Sequence, residues 1–282
     1  MEIWVYYTIL HAVFLAFFEA SKKKASEKNS IYVVLASFSL IGFIITAIIT
    51  KDALMLDYNY LPVILLKSSV VAVAWILGLT ALKQMEISLY SMIRISTIII
   101  TVILSSIVLG EVITIKSLIG MIIVVLGLIL VNKGSHGEGS KNNSMKPILI
   151  LLVSCIFNSI SAIIDKKVLS HVNSGQLQFW FLLFLSIYFW LFVIIRREKI
   201  DFKIVKENYW IPLAAISIVT SDRLLFKANQ IESSQVIVIT MLNQLSVIIS
   251  IILGKVLFGE KNIIKKLLYS LLIICGIGVM FI

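Results

Sequence analysis

The sequence predicts an all-α integral membrane protein, with ten transmembrane helices folded as two inverted five-helix repeats. Three observations carry this reading. Of the 282 residues, 60% are hydrophobic and 14% charged, against about 25% charged in an ordinary soluble domain. The apolar residues fall into ten runs, each near the roughly 20 residues that a helix needs to cross the hydrocarbon core. Short polar motifs recur in the same order in both halves of the chain, which is the mark of a duplicated unit.

The runs cover residues 3–20, 31–50, 61–82, 87–109 and 115–131, then 147–164, 176–195, 209–229, 233–258 and 263–282. They lack the period-2 alternation of lipid-facing strands, which argues against a β-barrel. The opening MEIWVYY has no basic stretch before the first run and no small-residue cleavage motif after it. That run is therefore expected to be the first span and not a cleaved signal peptide. Residues 133–146 are rich in Gly, Ser and Asn, the composition of a flexible linker, and they divide the chain into residues 1–132 and 147–282. His136 in this linker is a lone histidine and is not expected to hold a metal. Cys155 and Cys275 both lie in apolar runs and read as small buried hydrophobes. No disulfide, metal site or cofactor is expected. Lys and Arg outnumber Asp and Glu by 25 to 15, but they cluster between apolar runs, as in polytopic membrane proteins. The expected partner is the lipid bilayer and not nucleic acid.

The duplication rests on three pairs of motifs. Ser21-Lys-Lys with Asn29-Ser30 after the first run returns as Asp165-Lys-Lys with Asn173-Ser174 after the sixth. Asn59-Tyr-Leu-Pro62 opens the third run as Tyr209-Trp-Ile-Pro212 opens the eighth. Leu109-Gly110-Glu111 closes the fourth as Phe258-Gly259-Glu260 closes the ninth. An odd number of spans per copy turns the second copy over in the membrane. Inverted repeats of this kind place a substrate site near the midplane, where the halves meet.

At this point the residues resemble the drug/metabolite transporter superfamily, EamA-type branch. The resemblance is carried by Ile107-Val-Leu-Gly-Glu111 with Leu118-Ile-Gly120 and Leu126-Gly127, and by Val256-Leu-Phe-Gly-Glu260 with Cys275-Gly276-Ile-Gly278. It implies a secondary transporter with a central cavity lined by both halves and with both termini in the cytoplasm. Two features depart from the pattern: the dense pair Lys265 and Lys266, and the adjacent charges Asp222 and Arg223 inside the eighth run. Most basic residues follow the odd-numbered runs, which by the positive-inside rule places both termini outside. The two orientations remain alternatives at this level.

Candidate site residues are polar or aromatic side chains near mid-span. They are His11, Trp75, Arg94, Asn158, Asp222, Arg223, Asn243 and Gln244, read as substrate-binding. Asp222, His11 and Glu19 are read as candidates for proton coupling. The repeat pairs His11 with Cys155, one turn before Asn158, and Arg94 with Asn243. Each candidate has a plainer alternative. His11, Asn158, Asn243 and Gln244 can serve as interhelical hydrogen-bonding glue, worth roughly 0.6 kcal/mol each, and Trp75 can serve as packing. A charge at the bilayer centre costs from roughly 2.5 to more than 10 kcal/mol, so Asp222 and Arg223 need a reason to be there. Adjacent residues on a helix point about 100° apart and do not pair face to face, so at least one of them is expected to face the cavity: Asp222 to bind a cationic group or a coupling proton, and Arg223 either to bind an anionic group or to find a partner on another helix. Glu19 lies on the same side as Arg94, and a Glu19–Arg94 ion pair would spare the arginine an unpaired charge. Glu19 and Lys67 are otherwise expected to snorkel to the headgroups. Glu111 and Glu260 are expected to act as structural turn residues.

The function expected is secondary active transport of a small polar metabolite (amino-acid-like, an amine or similar) across the cytoplasmic membrane, by alternating access and with proton coupling. The protein would act as a monomer or homodimer. A flippase subunit for a lipid-linked substrate, built on the same fold, is the alternative. An intramembrane enzyme is disfavoured, because neither HExxH nor GxSxG occurs.

Overall fold

The computed structural model describes residues 2–135, 145–200 and 207–279. Most of the expected linker, residues 136–144 with His136, lies outside these. The described residues form helices and contain no strand. In chain order the helices are α1 (Ile3–Lys28), α2 (Ile31–Ile49), α3 (Leu61–Lys83), α4 (Ile87–Arg94), α5 (Thr97–Leu109) and α6 (Ile115–Ser135). The second half has α7 (Met145–Leu169), α8 (Ser174–Ile195), α9 (Trp210–Gln230), α10 (Val236–Leu242), α11 (Leu245–Phe258) and α12 (Ile263–Val279). Counting α4 with α5 and α10 with α11, seven segments among the described residues are long and apolar enough to cross a membrane.

Local chemistry sets several of the ends. Pro62 sits in the first turn of α3, where its missing N–H leaves no helical bond unmade. Asn173 caps α8, accepting from the Gly175 N–H, while Gln176 reaches back to the Asn173 N–H. Gly110 and Gly259 end α5 and α11 in the left-handed region, with φ of 69° and 64°, a conformation that a residue with a Cβ rarely adopts.

Two expectations about helix limits are corrected. The sequence predicts continuous helices over the fourth and ninth runs, yet each breaks into two, between Arg94 and Thr97 and between Leu242 and Leu245. At both breaks the backbone tightens to three-residue spacing: Ile95 N–H donates to Met92 O and Ile98 N–H to Ile95 O, and equivalently Gln244 N–H to Met241 O and Val247 N–H to Gln244 O. Secondly, α1 and α7 continue past residues 20 and 164, so that Lys22, Asp165 and Lys166 stand on helices and not in loops.

Packing between the halves comes in twins. Helix α1 packs on α9 as α3 packs on α7, and α1 packs on α11 as α5 packs on α7. Helices α2 and α8 pair with each other, as do α6 and α12. A pseudo-two-fold relating the first five spans to the last five generates this pattern. Among the described residues, the main core joins residues of α1, α2, α3, α7, α8 and α9, so the apolar interior runs across both halves.

Candidate functional site

A cavity of about 170 Å³ lies between the halves, lined by side chains of both. The lining follows helical periodicity. On α7 it takes Ser154, Asn158, Ser161 and Asp165, and on α1 His11, Leu15, Glu19 and Lys22, each set spaced to fall on one face. Of the residues singled out in sequence, His11, Glu19, Trp75, Arg94, Asn158, Asp222, Asn243 and Gln244 all line the cavity.

Arg223 is not among the lining residues; of its two expected roles, an anionic ligand or a partner on another helix, the structure gives it the second. Its Nε donates to Gln178 Oε1 at 2.6 Å and its Nη2 to Thr50 Oγ1 at 2.7 Å. One residue's rotation on α9 turns it away from Asp222 and onto α8 and α2, where it ties three helices together.

Two charged clusters sit in the cavity wall. In the first, Glu19 accepts Arg94 Nη1 at 2.8 Å and Lys22 Nζ at 2.8 Å. One carboxylate thus faces two cations, and Tyr90 adjoins Arg94. The Glu19–Arg94 pair expected from the sequence is present. Glu19 is buried, so it does not snorkel. In the second cluster Lys67 pairs with Asp165 at 2.9 Å, and Asp222 stands nearby with its Oδ2 buried and unpartnered. Lys67 is only 1% exposed and does not reach the headgroups. Its ammonium lies 3.5 Å from the Phe181 ring centroid and 4.4 Å from that of Phe226.

His11 bridges the region of the second cluster. Its Nδ1 is 2.8 Å from the Ser221 hydroxyl and 3.0 Å from the Ser221 carbonyl, next in sequence to Asp222. His11 and Glu19 are just over two turns apart on α1, roughly 12 Å along the helix. One end thus holds two cations and one carboxylate, and the other two carboxyl groups and one cation.

The remaining candidates divide by partner. Asn158 Nδ2 donates to the Ser154 carbonyl at 2.9 Å, and Gln244 Nε2 to the Thr240 carbonyl at 2.8 Å. The first bond lies within α7 and the second joins the break after Leu242 back to α10, and neither uses the side-chain oxygen. Asn243 Oδ1 is buried without a hydrogen-bond partner among the described residues. Trp75 stacks on Phe189 at 6.3 Å and touches Phe18, Phe38 and Phe181, so it is a packed wall of the cavity. Lys67, Asp165 and Lys22 are the charged lining residues that the sequence alone does not place here. For Asp165 a signal existed: it continues the polar stripe Ser154, Asn158, Ser161 at helical spacing.

Glu111 and Glu260 are turn residues with a reach across the repeat. Glu111 accepts the N–H groups of Val236 and Ile237 at the start of α10, at 2.8 and 3.2 Å. Glu260 accepts the N–H of Ile87 at 2.7 Å, together with Ser88 N–H and Oγ, at the start of α4. Each half thus caps the broken span of the other.

An inverted-repeat helical bundle with a charged cavity at the junction of its halves defines the class: a multi-pass membrane transporter of the drug/metabolite type. The EamA-like transporter family matches residues 2–133 and 145–282, and the chain belongs to that family. No curated protein matches it. A crystal structure described simply as that of a protein shares the fold with a TM-score of 0.72 and 15% identity, over 98% of this chain and 94% of the other.

Proposed function

We propose that the protein is a secondary active transporter of a small polar metabolite carrying a cationic group, amino-acid-like or an amine, across the cytoplasmic membrane by alternating access. The observation that carries this is the 8% exposed Asp222 carboxylate, whose Oδ2 has no partner among the described residues, in a cavity between the inverted halves. A buried acceptor left without a donor is costly, and a cationic solute supplies what it lacks. The end that holds Arg94 and Lys22 suits a carboxylate on the same solute. The cavity is smaller than the roughly 300–1,000 Å³ of drug-sized sites, which supports a small metabolite. Asp222, with His11 beside it, is the group we assign to proton coupling.

Flux into vesicles holding the purified protein, measured with and without a pH gradient, tests this. Gradient-driven flux of an amino acid or amine is the expected result, and Asp222→Asn abolishes it while the protein stays in the membrane. Undiminished flux in that variant overturns the role of Asp222, and absence of any flux overturns the transporter reading.

A further inference from the structure

The second cluster has the chemistry of an ammonium-binding box, and the box holds a cation of the chain itself. Lys67 Nζ sits 3.5 and 4.4 Å from the faces of Phe181 and Phe226, the contact by which aromatic faces hold organic ammonium groups. Asp165 pairs with the same nitrogen at 2.9 Å, and Asp222 adds a second carboxylate whose Oδ2 is unpartnered among the described residues. All five side chains line the cavity, and each is at least nine-tenths buried. Four different helices supply them: α3 gives Lys67, α7 Asp165, α8 Phe181, and α9 both Asp222 and Phe226. A lysine needing only a counter-ion would be satisfied by Asp165. The two ring faces and the spare carboxylate add up to a site for one organic cation.

We propose that Lys67 is a tethered occupant of this subsite and that a primary or quaternary alkylammonium group of the transported solute takes its place. The inference rests on the transporter reading and names the part of the solute that the cavity recognises. Lys67 is then the built-in competitor. With the box empty of solute, its ammonium screens the carboxylates from each other. When a solute ammonium enters, the Lys67 side chain swings out on its four-carbon stem.

Competition by a tethered group lowers apparent affinity in proportion to the time the box is filled. Lys67→Met keeps most of the length of the side chain and removes the charge. Its purified form is expected to bind n-butylammonium roughly tenfold or more tightly than the wild type by calorimetry, whereas Lys67→Arg keeps the weak wild-type affinity. n-Butanol serves as the uncharged control and shows no such gain. Adding Asp222→Asn to Lys67→Met is expected to remove the gain. If Lys67→Met does not purify as a folded protein, Lys67→Met/Asp165→Asn, which removes both charges of the pair, enters the same comparison. Unchanged or weaker n-butylammonium binding in the folded neutral variant overturns the proposal, as does an equal gain for n-butanol. The two readings fail separately: flux without the gain overturns the tethered cation alone, and the gain without flux overturns the transporter alone.

Discussion

Glu19 is where the cost of burying charge is met most directly. Its two oxygens hold Arg94 and Lys22 at 2.8 Å each, and both Glu19 and Lys22 are buried. Removing one member of such a group leaves the others unpaired in a low-dielectric interior. Glu19→Gln is therefore expected to destabilise the protein by roughly 3–5 kcal/mol, read as a lowered unfolding midpoint in detergent. Asp222→Asn should leave that midpoint nearly unchanged, since Asp222 Oδ2 has no partner to lose. The contrast separates a carboxylate that holds the fold from one that waits for a ligand. Arg223 is likewise a charge that holds the fold: Gly175 lies so close that an added Cβ would meet Arg223 Nη1 at 2.8 Å.

The elements repeat the theme of exchange between halves. A helix begins with N–H groups that have no intrahelical acceptor, and α4 and α10 begin inside the bundle. Glu260 and Glu111 supply the acceptors from the opposite half. Losing such a cap costs about 0.5–2 kcal/mol, and Glu111→Ala is expected to fall in that range by denaturant titration. Glu260→Ala should cost more, because Glu260 also holds the buried Lys266 at 3.1 Å, leaving Glu86 at 2.7 Å as its remaining partner. Equal losses in the two variants would show that Lys266 adds nothing. The Gly-Glu motif was legible in the sequence as a turn. Its partner was not, because the N–H groups it caps are far along the chain, Val236 for Glu111 and Ile87 for Glu260. The breaks after Arg94 and Leu242 were likewise hidden, since no Pro or Gly marks them. Their signal is that the polar residues Arg94 and Asn243 stand at matching places in the two copies.

Across the whole molecule, the twinned contacts mean that each half buries its apolar face mainly on the other. Residues 1–135 and 145–282, expressed together as separate chains, are expected to assemble and co-purify through the shared core of α1, α3, α7 and α9. Each expressed alone should be degraded or aggregate. Recovery of either half as a stable monomer would show that the core does not depend on the pairing.

The sequence by itself determined the approximate spans, the duplication and eight of the side chains in the cavity wall. Span length is set by bilayer thickness, and a polar residue in an apolar run is visible wherever it stands. Only the tertiary structure decided which charges are inside. Lys67, Lys22 and Asp165 sit close to run ends, where a linear reading assigns them to headgroups or loops. Whether such a residue reaches the surface or is buried depends on the carboxylate or ring facing it from another helix. Phe181 and Asp165 meet Lys67 from elements distant in the chain, and no local pattern specifies that meeting.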